Sequence, residues 1–338
     1  MISLLGVDGG VILLVAIALL FDVTNGFHDA ANAIATVVAT RALSLRSALI
    51  VAAIANFAGA FLSTRVALTI EQGILERSQL GGHWLGVIAA ALVGAVLWNL
   101  LTWYWGLPSS SSHALIGGLV GAAVAQGAAN AVRWQGIVQA VVIPMVLSPL
   151  LAVAVGIALM ALVEHLLQWV GEVPEPRWQH LQILSGTLMA FAHGANDAQK
   201  TMGVITLALV SVGQLSPEAG IPLWVIALCA VAIAIGTYGG GERIIHTTGE
   251  KITTLDPLSG CMANLSAALT VTAASLVGFP VSTTQVVVGA ITGAGYQHHP
   301  ERGVNWQTWR RIIAAWVLTV PGAAAVAATM VWGFSAKQ

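Results

Sequence analysis

Long apolar stretches follow one another along the whole chain and are separated by short polar segments. The clearer stretches are 11–21, 47–64, 84–105, 136–163, 222–240, 258–278 and 312–334, and shorter or interrupted ones lie at 181–192, 201–213 and 285–297. Several of them reach the roughly 20 residues that a helix needs to cross a bilayer core. The pattern therefore predicts an integral membrane protein with about ten apolar membrane segments.

Composition supports this interpretation, because only 8% of the 338 residues are charged and 57% are hydrophobic. A soluble domain carries roughly 25% charged residues, so this chain cannot cover a water-facing surface of ordinary polarity. The formal net charge is −1 and no block of like charges occurs, which gives no indication of nucleic-acid binding. Cys229 and Cys261 stand alone within apolar segments, and we interpret both as packing residues.

Two pairs of segments match each other across the chain. Residues 26–34 read GFHDAANAI and residues 194–202 read GANDAQKTM, while residues 106–121 read GLPSSSSHALIGGLVG and residues 278–293 read GFPVSTTQVVVGAITG. The second copies lie 168 and 172 residues after the first. Because the matches fall on Asp, Pro and Ser/Thr rather than on the abundant Gly and Ala, they indicate an internal duplication. The predicted division is a first membrane repeat over 1–170, a polar linker over 171–180 and a second membrane repeat over 181–338.

Duplicated membrane chains often place the second half upside down, with the substrate bound near the midplane between the halves. Lys and Arg concentrate in cytoplasmic loops, so loop charges test this arrangement. The loop after the first apolar segment carries two arginines, whereas its counterpart, 213–221, carries neither Lys nor Arg. Loop 241–257 carries one Arg and one Lys, and its first-half counterpart, 69–83, carries one Arg beside two acids. The asymmetry switches between the halves, which predicts inverted repeats with the N-terminus outside.

Acidic residues interrupt the apolar pattern at three places: Asp22, Asp29 and Asp197 lie at or near membrane depth. An ionisable group there is costly and marks a binding site or an ion pathway. Asn32 follows Asp29 at i+3, on the same face of a helix, and an Asn-Gly dipeptide predicts a break in the first helix near residues 24–27. Carboxylate, amide and freed carbonyl oxygens suit a hard cation or a proton relay. The alternative is an Asp that caps a broken helix.

The two Pro-Ser/Thr motifs predict helix N-termini within the membrane segments. Pro108 and Pro280 fit the first turn of a helix, where the missing N–H costs nothing, and hydroxyl residues follow at Ser109–Ser112 and Ser282–Thr284. A helix N-terminus offers unpaired N–H groups and partial positive charge to an anion, and hydroxyls add donors without fixed charge. Two such termini, brought together by inverted symmetry, suit a tetrahedral oxyanion. The alternative is a run of N-caps on buried helices.

The motifs GFHDAANA, HGANDAQK, PSSSSH and PVSTTQ resemble those of the inorganic phosphate transporter (PiT) family, and Thr248–Ile252 resembles another stretch of that family. His28 and Lys200 are similar to the bacterial low-affinity branch. The resemblance implies an all-α polytopic membrane protein with two inverted-topology repeats, broken helices and re-entrant helical hairpins. It also implies a secondary active symporter of inorganic phosphate, working by alternating access in the plasma membrane (the bacterial inner membrane), and no enzymatic activity.

Carried over position by position, the resemblance implies two sets of site residues. Phosphate binding is expected of Ser110, Ser111, Ser112, His113, Ser282, Thr283, Thr284 and Gln285. Coupling to a cation or to protons is expected of Asn25, His28, Asp29, Asn32, Asn196, Asp197 and Lys200. If sodium is the coupling ion, the positions expected to bind it are Asp29, Asn32 and Asp197.

The chain departs from the symmetric form of the family motif, which is Gly-Ala-Asn-Asp in both copies. The first copy has His28 where the second has Asn196, and the second has Lys200 where the first has Asn32. An ammonium at Lys200 could occupy a charge position that a sodium ion fills elsewhere. These departures favour protons over sodium as the coupling ion.

The residues alone also allow other functions. Neutral donors alone would accept sulfate as well, and broken helices also fit an anion channel, although buried acids would repel a freely permeating anion. Ser110 with His113 could suggest a nucleophile and base, but i+3 on one helix is rarely the geometry of such a pair. We expect the lipid bilayer and inorganic phosphate as partners, the phosphate alone or as a metal–phosphate complex, and no nucleic acid. A homodimer stays open, and no cofactor is expected besides H⁺ or Na⁺ as the coupling ion.

Overall fold

The computed structural model describes residues 9–171 and 173–335, which form helices joined by short loops. The first half contains α1 (Gly9–Ala39), α2 (Leu45–Gly59), α3 (Arg65–Gly73), α4 (Trp84–Tyr104), α5 (Ser111–Ala125), α6 (Trp134–Ile137) and α7 (Ile143–Val170). The second half contains α8 (Glu175–Ser211), α9 (Leu223–Gly239), α10 (Glu242–Glu250), α11 (Pro257–Val277), α12 (Thr283–His298) and α13 (Trp306–Ser335). A π-helical turn, Val138–Val142, joins α6 to α7.

Five of the described helices are long and apolar enough to cross a membrane: α1, α4, α7, α11 and α13, the last over Trp306–Gly333. The count is six if α9 and α10, which meet at a bend of 74°, form one span. This is fewer than the sequence predicts, because other apolar stretches form short helices such as α2 and α5 and because α8 carries polar side chains. The described chain is an all-helical, multi-pass membrane protein.

The distribution of polarity is inverted relative to a soluble protein. Large apolar side chains face outward, among them Leu150 on α7 and Val317 on α13, which are 62% and 64% exposed. The interior instead contains ionisable side chains from α1 and α8, which are at most 2% exposed: Asp22, Asp29, Asp197 and Lys200. An apolar exterior around a polar centre fits a lipid environment, where ionisable residues turn toward the interior of the helix bundle.

Equivalent helices of the two halves make equivalent contacts with helices of the other half. The helix order α1 to α5 is repeated by α8 to α12, and α1 lies against α9 while α8 lies against α2. Gly26 faces the carbonyl of Ile233 and Gly194 faces that of Asn56, each so closely that a Cβ would overlap the carbonyl. Such exchanged contacts accompany a two-fold relation between duplicated halves. The inverted orientation of the repeats stays a prediction.

A second pair of reciprocal contacts surrounds the two shorter helices of the matched motifs. Gly117 and Gly121 on α5 contact the backbone of α13, and the matching Gly289 and Gly293 on α12 contact that of α7. Small residues let helix backbones approach closely in membrane proteins. These contacts hold α5 against α13 and α12 against α7.

The prediction of a break near residues 24–27 is wrong. α1 continues from Gly9 to Ala39, and α8 likewise runs unbroken through the second Asp motif. Gly26 lets α9 approach α1 rather than turn the chain. The main break occurs between α9 and α10, where Gly240 has a φ of +73°.

The segment predicted as a polar linker, 171–180, is partly helical. α7 ends at Val170, the next residue, Gly171, has a φ of +83°, and α8 begins at Glu175. The polar residues at the start of α8 therefore extend this helix rather than form a loop. The division of the chain into two membrane repeats at this place stays a prediction.

Candidate functional site

The two Pro-Ser/Thr motifs form the starts of α5 and α12. Ser110 and Ser282 are the N-caps, and their side chains accept hydrogen bonds from the backbone N–H groups of His113 and Gln285. Both prolines lie two residues before these caps, so their predicted place in the first helical turn is wrong. Pro108 instead leaves its carbonyl free to accept a hydrogen bond from the Trp316 indole, at 3.0 Å.

Both helix starts converge on one carboxylate in the middle of α1. The Ser111 hydroxyl donates to Oδ2 of Asp29 at 2.9 Å, and the Thr284 hydroxyl lies 3.4 Å from Oδ1 of the same side chain. One turn further along α1, the amide of Asn32 donates to the hydroxyls of Thr283 and Thr284 at 3.3 and 3.0 Å. Asp29 therefore contacts residues of both matched motifs, and Asn32 contacts the second motif.

The predicted phosphate donors are brought together and are all buried: Ser110, Ser111, Ser112, His113, Ser282, Thr283, Thr284 and Gln285. The two motifs also touch directly, since the Ser112 hydroxyl donates to the carbonyl of Val281 at 3.2 Å. Nδ1 of His113 and Oε1 of Gln285 are buried without hydrogen-bond partners. An unsatisfied buried polar atom costs about 1–3 kcal/mol, so two at matching positions are consistent with a place for a polar ligand.

His28 connects Asp29 to the start of the first motif. Its Nδ1 lies 2.6 Å from Oδ1 of Asp29, and its Nε2 lies 3.1 Å from the hydroxyl of Thr102 and 3.2 Å from that of Ser109. The Thr102 and Ser109 hydroxyls are themselves 2.8 Å apart. The ring therefore joins the carboxylate to a chain of hydroxyls.

Asn196 occupies the equivalent place in the second half. Its amide donates to the Ser275 hydroxyl at 2.9 Å and to the carbonyl of Phe279 at 3.2 Å. The sequence gives no local indication of Thr102 and Ser275, because a single hydroxyl residue inside an apolar helix looks like an ordinary packing residue. Thr102 and Ser275 are 173 residues apart, close to the offsets of 168 and 172 residues between the matched motifs, and this spacing could have revealed them.

The second acidic residue, Asp197, is surrounded by donors from both halves. Nζ of Lys200 lies 2.8 Å from its Oδ1, and the amide of Asn25 donates to its Oδ2 at 3.3 Å. Nε2 of His193 lies 3.6 Å from Oδ2, while Nδ1 of the same ring is held 2.9 Å from the amide oxygen of Asn56. The Lys200 side chain is therefore paired with a fully buried carboxylate.

The two acidic motifs meet in the interior. One ligand atom each from Asp29, His193 and Asp197 lies within 4.8 Å of the others. Of the three positions expected to bind sodium, Asp29 and Asp197 are thus brought together, and Oδ1 of Asn32 is buried without a hydrogen-bond partner. Hard cations take oxygen ligands, whereas this cluster also includes an imidazole, with an ammonium already beside one carboxylate.

Asp22, which the sequence places at membrane depth, lies near this cluster on α1. It is fully buried, and neither carboxylate oxygen has a hydrogen-bond partner. Asn25 and Thr201 are polar neighbours, and Asp197 and Lys200 act on it electrostatically. Burying an ionised carboxylate without a partner is strongly unfavourable, and an acid at such a place in a membrane segment marks a binding site or an ion pathway.

Comparison with known proteins identifies the family. A model described as the phosphate transporter family matches residues 25–327. The chain belongs to this family. It is 45% identical over 323 residues to a probable low-affinity inorganic phosphate transporter of Mycobacterium leprae, covering 95% of this chain and 77% of that protein. A protein of the same description from Bacillus subtilis is 42% identical over 318 residues, with 94% of this chain and 95% of that protein covered.

The fold also matches a solved structure, described as the sodium-dependent phosphate transporter. The TM-score is 0.85 at 26% sequence identity, with 97% of this chain and 99% of the other covered. The resemblance stated from the motifs is therefore confirmed, as is the all-helical membrane fold. The relatives are described as transporters and not as enzymes, and a multi-pass protein with bacterial relatives is consistent with the bacterial inner membrane.

Proposed function

We propose that the chain is a secondary active transporter that carries inorganic phosphate together with protons by alternating access. The observation that carries the proposal is the convergence of both motifs on Asp29, whose two oxygens accept from Ser111 and Thr284. Membership of the family and the descriptions of the relatives support phosphate as the substrate.

Protonation of Asp29 would couple proton binding to phosphate binding. While Asp29 is ionised, it engages the Ser111 and Thr284 hydroxyls and repels an anion beside it. When a proton neutralises the carboxylate, the repulsion disappears and both hydroxyls become available to phosphate oxygens. Each ligand then raises the affinity for the other by the same factor, which is the condition for symport.

His28 provides a route for that proton. The ring contacts Asp29 through one nitrogen and the Thr102 and Ser109 hydroxyls through the other. An imidazole can take up a proton on one nitrogen and release one from the other near neutral pH. The same chain ends at Ser109, directly before the first set of phosphate donors.

Lys200 supports protons rather than sodium as the coupling ion. Its ammonium neutralises Asp197, so the charge that a bound sodium would supply there is already present. Asp22, buried and without a hydrogen-bond partner, adds a further group that can bind a proton beside this pair. Lys200 therefore acts as a resident cation, and protons on Asp29 and Asp22 carry the coupling.

Sodium coupling is the second candidate. It is favoured by the similarity to a structure described as sodium-dependent and by the approach of Asp29 and Asp197 to each other. For the substrate, the rival is sulfate. Asp197 stays ionised in the proposed scheme because Lys200 pairs with it, and it can accept the proton that phosphate carries near neutral pH. Sulfate has no such proton to donate, so this acid favours phosphate.

Uptake of radiolabelled phosphate into proteoliposomes tests both choices. A pH gradient and a sodium gradient are imposed separately, each with and without excess sulfate. We expect an inward proton gradient alone to drive uptake that sulfate does not reduce. Uptake that requires sodium would contradict proton coupling, and transport of sulfate without phosphate would contradict the substrate.

A further inference from the structure

His298, the last residue of α12, and the adjacent His299 lie beside Asp256, the residue that precedes α11. Nε2 of His298 lies 2.9 Å from Oδ2 of Asp256, and Nε2 of His299 lies 3.9 Å from the same oxygen. One ligand atom from each of the three side chains lies within 4.8 Å of the others. The three side chains are 20–39% exposed, so ions in solution can reach them.

The other nitrogen of each ring faces a carboxylate. Nδ1 of His298 lies 2.9 Å from Oε1 of Glu164 on α7, and Nδ1 of His299 lies 3.4 Å from Oε1 of Glu301. Metal-binding histidines almost always donate their second N–H to such a group, which fixes the ring and raises its basicity. The arrangement therefore leaves both Nε2 atoms directed at Asp256.

Asp256 is held in place by a separate set of bonds. It caps α11, and its Oδ1 accepts from the backbone N–H and the hydroxyl of Ser259 at 2.8 and 2.7 Å. A carboxylate held in this way, with its other oxygen directed at two imidazoles, presents three metal-ligand side chains to one point.

We propose that Asp256, His298 and His299 bind a divalent transition-metal ion such as Zn²⁺, with water in the remaining position. Ligands at zinc distances of about 2.0–2.1 Å in tetrahedral geometry lie about 3.3 Å from one another. The Nε2 atoms of His298 and His299 lie 2.9 and 3.9 Å from Oδ2 of Asp256, one distance below that value and one above it. Two imidazoles and one carboxylate suit Zn²⁺ or its neighbours rather than Mg²⁺ or Ca²⁺, which prefer oxygen ligands.

The site shares no residue with the proposed phosphate and proton sites. Its ligands come from the start of α11 and the end of α12, and Glu164 joins α7 to them through His298. A bound metal would therefore tie together α11 and α12, the helices on either side of the second Ser/Thr motif. Binding to the folded chain alone would raise its thermal stability.

Metal binding to the purified full-length chain tests this proposal without a transport assay. The protein is prepared in detergent without a polyhistidine tag, stripped with a chelator, incubated with Zn²⁺ and passed through gel filtration. We expect one zinc ion per chain by mass spectrometry, a higher melting temperature, and a visible Co²⁺ spectrum of tetrahedral type. His298→Ala and His299→Ala should each lower the zinc affinity by more than about tenfold, and Glu164→Gln by about 10–100-fold.

His246→Ala is the matched control, because His246 also pairs with an acid, Glu250, but belongs to no such cluster in the described residues. It should bind zinc as the unaltered chain does. Equal zinc binding by the His246, His298 and His299 variants would overturn the proposal, as would absence of bound zinc in the unaltered chain. If His298→Ala aggregates, His299→Ala decides, because His299 makes no hydrogen bond to Glu164.

Discussion

The ammonium of Lys200 lies 2.8 Å from the carboxylate of Asp197, and the two side chains are 1% and 0% exposed. At the matching position of the first half, Asn32 instead donates to Thr283 and Thr284. The two acidic motifs are therefore not equivalent. Asp197 is paired with the side chain of Lys200, whereas Asp29 accepts hydrogen bonds from Ser111 and Thr284, which a substrate could also use.

Replacing Lys200 by Asn should remove the resident cation and make the two motifs alike. Removing one partner of a buried ion pair costs about 3–5 kcal/mol, because the other charge is left uncompensated. We expect uptake driven by a pH gradient to fall more than tenfold, and a sodium gradient to restore part of it. Lys251→Asn, at an exposed position, is the control. Unchanged pH-driven uptake by the Lys200 variant would show that its ammonium has no part in coupling.

Asp29→Asn should abolish coupled uptake while the protein stays folded. The amide keeps the size of the side chain but cannot bind and release a proton. The variant should elute from gel filtration like the unaltered chain, and phosphate uptake under a pH gradient should disappear. Glu218→Gln, in an exposed loop, controls for loss of an acid. Normal uptake by the Asn variant would remove Asp29 from the mechanism.

Ser111→Ala and Thr283→Ala should weaken phosphate binding from opposite sides of the pocket. Loss of one hydrogen bond to a charged group costs about 1.5–3 kcal/mol, so the KM for phosphate should rise about tenfold or more in each variant. Concentration-dependent uptake measures this directly. Ser216→Ala, at an exposed position, should leave the KM unchanged. A KM unaffected by both substitutions would contradict the donor pocket.

The pairing of motifs was predictable from sequence, whereas the local geometry was not. The match of Asp29 with Asp197 and of Ser111 with Thr283 predicts where the candidate site lies, because equivalent segments of duplicated halves are expected to meet. The predicted break near residues 24–27 is wrong, because the sequence does not distinguish a glycine that lets the chain turn from one, such as Gly26, that lets a neighbouring helix approach. The contact of His28 with Thr102 joins residues 74 apart, and nothing local indicates it.

Gly194→Ala should destabilise the protein by crowding the α8–α2 contact. The added Cβ would overlap the backbone of Asn56, and overpacking typically costs about 1–3 kcal/mol. The melting temperature in detergent should therefore fall. Gly86→Ala lies in α4, where a Cβ meets nothing within 4 Å, and it should be neutral or slightly stabilising since Ala favours helix. Equal melting temperatures for the two variants would contradict the close approach of these helices.

Asp22→Asn separates proton coupling from phosphate binding. The carboxyl is buried without a hydrogen-bond partner, so an amide, which resembles its neutral form, should leave folding and the melting temperature unchanged. Exchange of internal for external phosphate needs no net proton movement and should survive, because Ser111 and Thr284 are untouched. Accumulation of phosphate driven by a pH gradient needs the proton to be released, and it should be lost. If Asp22→Asn accumulates phosphate as the unaltered chain does, Asp22 carries no coupling proton. If exchange and accumulation disappear together in a folded variant, Asp22 acts on phosphate binding instead.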